Sequence, residues 1–155
     1  QRQMCIRDRD IETDILPAVK ELGIGFVPYS PLGRGFLTGK YTSNDNFSDK
    51  DFRKKNARFL PENLNHNIRL LTTIEPIAQK YQATMGQIAL AWLLAQYDKL
   101  VPIPGTKKLS YLIENAKAAD IVLEEDDVKF LNHLPNEIQV QGNRYSDEGM
   151  KGVNA

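Results

Sequence analysis

The 155 residues are 41% hydrophobic and 26% charged, a balance that excludes a disordered chain and suffices for a buried core. Twenty Lys and Arg against twenty Asp and Glu leave no formal net charge, which argues against a nucleic-acid partner or an anionic membrane surface and toward a small molecule. No apolar run approaches the roughly 18 residues of a membrane span, and the opening QRQMCIRDRD has no secretory apolar stretch, so a cytoplasmic location is expected.

The lone Cys5 cannot form an internal disulfide. The stretch Gln3–Asp8, QMCIRD, matches an in-frame reading of a common sequencing-library adapter. Residues 1–9 are therefore expected to be non-native, and residues 10–155 to form the domain.

From Asp10 to Leu22, Ile11, Ile15, Val19 and Leu22 recur at helical spacing and Gly23 stands where helices commonly end, with Pro17 an internal blemish. Ile24–Ser30 (IGFVPYS) reads as a short buried strand. Residues 31 to about 63 lack periodicity, and a connection that long is usually functional or disordered. Leu64–Tyr81 returns to helical spacing, with Pro76 expected to kink or restart the helix. Thr84 and Gln87 form a capping-box pattern before IALAWLLA, a stretch so uniformly apolar that it must be buried. Leu100–Pro104 (LVPIP) is a second short strand, followed by a helix carrying Leu109, Leu112, Ile113 and Ala116 on one face. Glu124–Leu134 is a last helix, and an irregular surface segment follows from Pro135. The alternation is α/β with parallel strands, and two strands alone leave unpaired edges, so the chain reads as part of a larger sheet.

Two strand ends carry candidate chemistry. In YSPLGRGFLTGK (Tyr29–Lys40), the Ser30 hydroxyl, backbone amides around Leu32, Gly33 and Gly35, and the Arg34 cation suit a diphosphate. A glycine-rich turn with one solvated arginine would look the same. In IPGTKKLSYLIEN (Ile103–Asn115), Gly105 admits a ligand to the backbone, Thr106 can cap the helix, and Lys107 and Lys108 would attract phosphate to a helix start. Glu114 and Asn115 offer an acceptor and an amide for the edge of a base. A capped helix with exposed lysines is the plain alternative. His66 and His133 lack metal-ligand spacing and read as surface residues, Trp92 as core, and the acidic run Glu124–Asp127 as a helix start, so no metal site is expected. Cys5 has no identifiable basic partner.

Together with IETDILP, DFR at 51–53, PIAQKY, QIALAWLLAQ and RYSDEGM, these motifs resemble the aldo-keto reductases, specifically the bacterial and plant branch, from about Asp10 onward. The resemblance implies the C-terminal part of a (β/α)8 TIM barrel, with Ile24–Tyr29 and Leu100–Pro104 as about its last two strands. It implies NADP as cofactor: Tyr29 on the nicotinamide; Ser30, Leu32 and Arg34 along the pyrophosphate; Gly105, Thr106 and Lys107 near the adenosine 2′-phosphate; Glu114 and Asn115 at the adenine. At Tyr111 many relatives carry Arg or Gln, which alters one polar contact and weakens, without removing, the preference for NADP over NAD. The implied activity is reduction of an aldehyde or ketone by hydride from NADPH. The family's Tyr, Lys, Asp and His tetrad matches positions upstream of this chain's start, so no catalytic residue is assigned and the chain alone is expected to be inactive. A non-catalytic nucleotide-sensing regulatory subunit shares the fold and is the alternative; a gene-prediction product that never folds independently is a third.

Overall fold

The computed structural model describes residues 3–44 and 47–151. Its helices are α1 (Ile15–Glu21), α2 (Pro61–Lys80), α3 (Met85–Leu94), α4 (Leu109–Ala116), α5 (Glu125–Glu137) and α6 (Asp147–Met150), joined by 3-10 turns at Asp10–Glu12, Gly33–Thr38, Phe52–Lys55, Ala57–Phe59 and Lys117–Asp120.

The expected helix from Asp10 to Leu22 divides into a 3-10 turn and α1. Pro17 is the third residue of α1, where its missing N–H is one that the first turn leaves unpaired in any case. Gly23, at φ +63°, closes the helix with its amide on the Lys20 carbonyl, as the sequence indicated. Pro76 does not restart α2, which runs unbroken through it. Pro76 and Thr72 are both exposed, so water can serve the Thr72 carbonyl that proline leaves without a donor. α5 likewise continues past Pro135 to Glu137.

α3 is the central strut. Every residue from Gly86 to Leu93 is buried, and the helix packs against α2, α4 and the turns at Gly33–Thr38 and Lys117–Asp120. Its start is the predicted capping box: the Gln87 amide donates to Thr84 Oγ1 and the Thr84 amide to Gln87 Oε1. Trp92 is fully buried, donates its indole N–H to Asn132 Oδ1 at 2.8 Å, and lies under the Arg9 guanidinium.

The two expected strands do not form ladders, and among the described residues no strand is present. Both segments run alongside each other and meet at a single parallel bridge, Phe26 with Leu100, in which the Phe26 amide donates to the Lys99 carbonyl and the Val101 amide to the Phe26 carbonyl. Pro28, Pro102 and Pro104 have no N–H to continue the pairing. A second parallel bridge joins Gln3 to Tyr29, so the parallel sense of the alternation holds. The apolar face expected of α4 is not turned inward: none of its residues is buried, and Leu109, Leu112 and Ile113 stay 72%, 55% and 49% exposed.

Residues 3–8 are packed inside. Met4, Cys5 and Ile6 are fully buried, and the buried carboxylate of Asp8 accepts from Arg7, Arg58 and Gln3. The fold gathers Arg58 and Arg144 around Cys5 alongside its sequence neighbour Arg7, yet burial dominates and pushes the thiol up. Burial first, then the neighbouring guanidiniums Arg7 and Arg144, bring Arg58 down to about 9. His133 is exposed, while His66 is half-buried with Nε2 on the Gln139 carbonyl at 2.9 Å. Among the described residues no cluster of His, Cys, Asp or Glu could hold a metal, and no helix is long and apolar enough to cross a membrane.

Candidate functional site

The ends of the segments 24–30 and 100–104 open into one cleft of about 830 Å³. Tyr29, Ser30, Leu32, Arg34, Gly105, Thr106, Lys107, Tyr111, Glu114 and Asn115, predicted from two motifs about seventy positions apart, all line it. Around them stand Lys40, Tyr41, Arg53 and Lys108. Five cationic side chains thus face a single carboxylate, Glu114, across walls that also carry Leu32, Pro31 and Ile103. A positive, partly apolar cleft of this kind concentrates a phosphate-bearing ligand with a flat ring system.

One wall is a backbone coil. Ser30 and Arg34 sit at φ +53° and +60°, values that non-glycine residues rarely adopt, and Gly33, Gly35 and Gly39 share the left-handed region. At Gly35 a Cβ would lie 2.8 Å from the Tyr41 ring, so glycine is required there for Tyr41 to close against the loop. The coil consumes two of the amides that the motif offered for a diphosphate: Gly33 donates to the Ser30 carbonyl at 2.9 Å and Gly35 to the Leu32 carbonyl at 3.0 Å. Arg34 is a cation on this wall, beside Lys40 and Arg53. Its Nη1 donates to the Arg144 carbonyl at 2.7 Å, and its guanidinium lies over the Tyr145 ring. Partial burial and the nearby Arg7 charge lower its pKa. The Tyr29 hydroxyl pairs with that of Tyr145, and burial followed by this hydrogen bond pushes Tyr29 up to about 12, so its phenol stays protonated across the physiological range.

The opposite wall is the start of α4. Thr106 does not cap it: the cap position is Lys108, without a side-chain hydrogen bond, because α4 begins only at Leu109. Thr106 Oγ1 instead accepts the Lys108 amide at 3.3 Å, a local turn ahead of the helix. A Cβ on Gly105 would meet nothing within 4 Å, so its backbone faces open cleft. Glu114 is held by α3: its carboxylate accepts from the Thr84 hydroxyl and its carbonyl from Gln87 Nε2, both at 2.9 Å. The residues that cap α3 therefore also hold Glu114, a second duty the sequence pattern did not disclose. Sequence reasoning also missed Lys40, Tyr41 and Arg53. Arg53 pairs with Asp51 at 2.6 Å and stacks over Tyr41, its guanidinium carbon 4.1 Å from the ring centroid. DFR at 51–53 was legible only as part of the family pattern.

The model of the "Aldo/keto reductase family" matches residues 1–135. The chain belongs to this family. An NADP(+) aldo-keto reductase of Schizosaccharomyces pombe is 46% identical over 134 residues, which are 86% of this chain and 39% of that protein. Among solved structures, a glycerol dehydrogenase from Gluconobacter oxydans superposes with a TM-score of 0.79 at 22% identity, covering 91% of this chain and 43% of that one. An aldo/keto reductase from Klebsiella pneumoniae, solved in complex with NADP and acetate, superposes with a TM-score of 0.63 at 22% identity, covering 93% and 41%. At that identity the two structures establish the fold, so the chain carries a portion of the aldo-keto reductase barrel. It spans about two-fifths of the length of the relatives it matches.

Proposed function

We propose that this chain is the C-terminal, cofactor-binding part of an NADP-dependent aldo-keto reductase acting on aldehyde or ketone carbonyls. The observation that supports it most directly is that all ten residues carried over from the family pattern line one cationic cleft. Its donor set suits the cofactor. Lys107 and Lys108 stand exposed at the mouth for a 2′-phosphate, Arg34 faces the diphosphate, Tyr29 presents a ring to the nicotinamide, and Glu114 and Asn115 face the adenine. When bound, NADPH would supply the hydride; the residues of this chain bind and orient it and shield it from water. No residue here is assigned the proton-donating role, so turnover requires the tetrad from elsewhere in the family fold, and a cytoplasmic setting is part of this reading.

Calorimetric titration of the 155-residue chain with NADPH and NADH, with a carbonyl-reduction assay beside it, tests the proposal. NADPH binding tighter than NADH, without turnover, is expected. Turnover by this chain alone would overturn the absence of a catalytic group, and failure to bind either nucleotide would overturn the cofactor reading.

We also propose, from the adapter-like stretch Gln3–Asp8, that residues 1–9 are foreign to the natural protein, although the family match starts at residue 1 and residues 4–6 are buried. Two of the four buried side-chain polar atoms without a partner among the described residues, Gln3 Oε1 and Arg7 Nη1, lie in this short stretch. Native interiors pair nearly all such groups. Genomic sequence encoding these residues within a longer natural gene would overturn this.

A further inference from the structure

The C-terminal tail crosses behind the Tyr29–Lys40 wall and is fastened there by side chains from the 56–67 region. Asn67, itself buried, grips the backbone of Gln141 twice, accepting its amide at 2.8 Å and donating to its carbonyl at 3.0 Å. Arg58 Nε donates to the Gly142 carbonyl at 3.1 Å, and Asn56 Nδ2 to the Arg144 carbonyl at 3.1 Å. These contacts fix the backbone as far as Arg144, and the next residue, Tyr145, is delivered against the cleft wall. Tyr145 does not line the cleft. It touches two residues that do: its hydroxyl meets that of Tyr29, and its ring centroid lies 5.0 Å from the Arg34 guanidinium carbon. The Arg144 carbonyl holds Arg34 Nη1 from the same side.

We propose that Tyr145 is a positioning residue for the nicotinamide and diphosphate end of the bound dinucleotide, setting the Tyr29 ring through its hydroxyl and the Arg34 guanidinium through its ring. The proposal rests on the cofactor reading above. Tyr29 and Arg34 both carry rotatable side chains, and Arg34 also occupies a left-handed backbone conformation that its surroundings must hold. Restraining both before ligand arrives removes conformational freedom that binding would otherwise have to freeze, so the tail raises affinity without touching the ligand. Among the described residues, the contacts of Tyr145 with the cleft lining fall on Tyr29 and Arg34, so the adenosine end at Gly105 to Asn115 should not respond.

The test compares two ligands on the full 155-residue chain by calorimetry: NADPH, which reaches the whole cleft, and 2′,5′-ADP, which carries the adenosine, its 2′-phosphate and one 5′-phosphate but neither the second phosphate of the diphosphate nor the nicotinamide. Tyr145→Phe keeps the ring over Arg34 and removes the hydroxyl; Tyr145→Ala removes both, with circular dichroism confirming that each variant is folded. The NADPH dissociation constant should rise about threefold in Tyr145→Phe and about tenfold in Tyr145→Ala, the scale of one and then two modest polar contacts. That for 2′,5′-ADP should stay within about twofold. Parallel loss of both ligands would mean general support of the fold and overturn the positioning role, as would an unchanged NADPH affinity in Tyr145→Ala. Those two results leave the cofactor reading standing. If the unaltered chain binds neither ligand, the cofactor reading falls and takes the proposal with it.

Discussion

Lys40 Nζ lies 3.7 Å from the centroid of the Tyr111 ring, so the loop that follows one extended segment touches the helix that follows the other across the mouth of the cleft. The same lysine, by hydrogen bond first and by charge second, with Lys108 adding to it, holds the Tyr111 phenol below its ordinary range.

A group depressed in the folded state contributes stability only above its unfolded pKa and loses that contribution as pH falls through the folded value. The contact is that of a cation over the face of the ring. A titration of absorbance near 295 nm, where tyrosinate absorbs, should show one tyrosine ionising ahead of the others, and Lys40→Met should move it upward. An unshifted titration in the variant would mean that the two loops do not meet in solution.

Lys107 tests the choice between the two nicotinamide nucleotides. It is exposed at the cleft mouth, so solvent screening limits a contact with a 2′-phosphate to about 1 kcal/mol, or about fivefold in affinity. Lys107→Met should weaken NADPH binding by that factor and leave NADH binding unchanged. Equal loss for both nucleotides would move the phosphate contact elsewhere.

Tyr81 joins the end of α2 to the start of α5. Its hydroxyl donates to Asp127 Oδ2 at 2.6 Å and accepts the Glu124 amide at 2.7 Å, serving a helix start that has no side-chain cap of its own. Tyr81→Phe should lower unfolding stability by about 1 kcal/mol in urea denaturation, with an unchanged denaturant slope. No loss at all would mean that water replaces the hydroxyl at that amide.

Gly142 and Gly105 should differ sharply as sites for alanine. Gly142 is at φ +88°, and a Cβ there would lie 2.8 Å from both the carbonyl carbon and the carbonyl oxygen of Ala57, a backbone wall that cannot yield. Gly142→Ala should cost about 2 kcal/mol and release the tail, seen as faster proteolysis between residues 139 and 146. Gly105→Ala meets open space, and its stability should stay within about 0.5 kcal/mol of the parent. Equal behaviour of the two variants would argue against the docked tail.

Local patterns carried much of this chain. The T-x-x-Q signal at Thr84 became a formed capping box because both partners lie within one helical turn, and the uniformly apolar run behind it could go nowhere but the interior. The strand signals were weaker: IGFVPYS and LVPIP become extended, but their prolines withhold the amides a ladder needs, so only one bridge joins them. The α4 pattern shows the limit of periodicity, because Leu109, Leu112 and Ile113 share a face as spacing required, while nothing in spacing says whether another element covers that face.

The sequence by itself determined the family, the two cleft-lining motifs and the identity of ten cleft residues, because those depend on residue type and short spacing. Tertiary structure alone decided what those residues do to one another. It brought Lys40 to Tyr111, Thr84 to Glu114 and Tyr145 to Tyr29, pairs separated by 71, 30 and 116 positions. No local propensity encodes such meetings; they follow from how whole elements pack around α3 and where the tail is pinned.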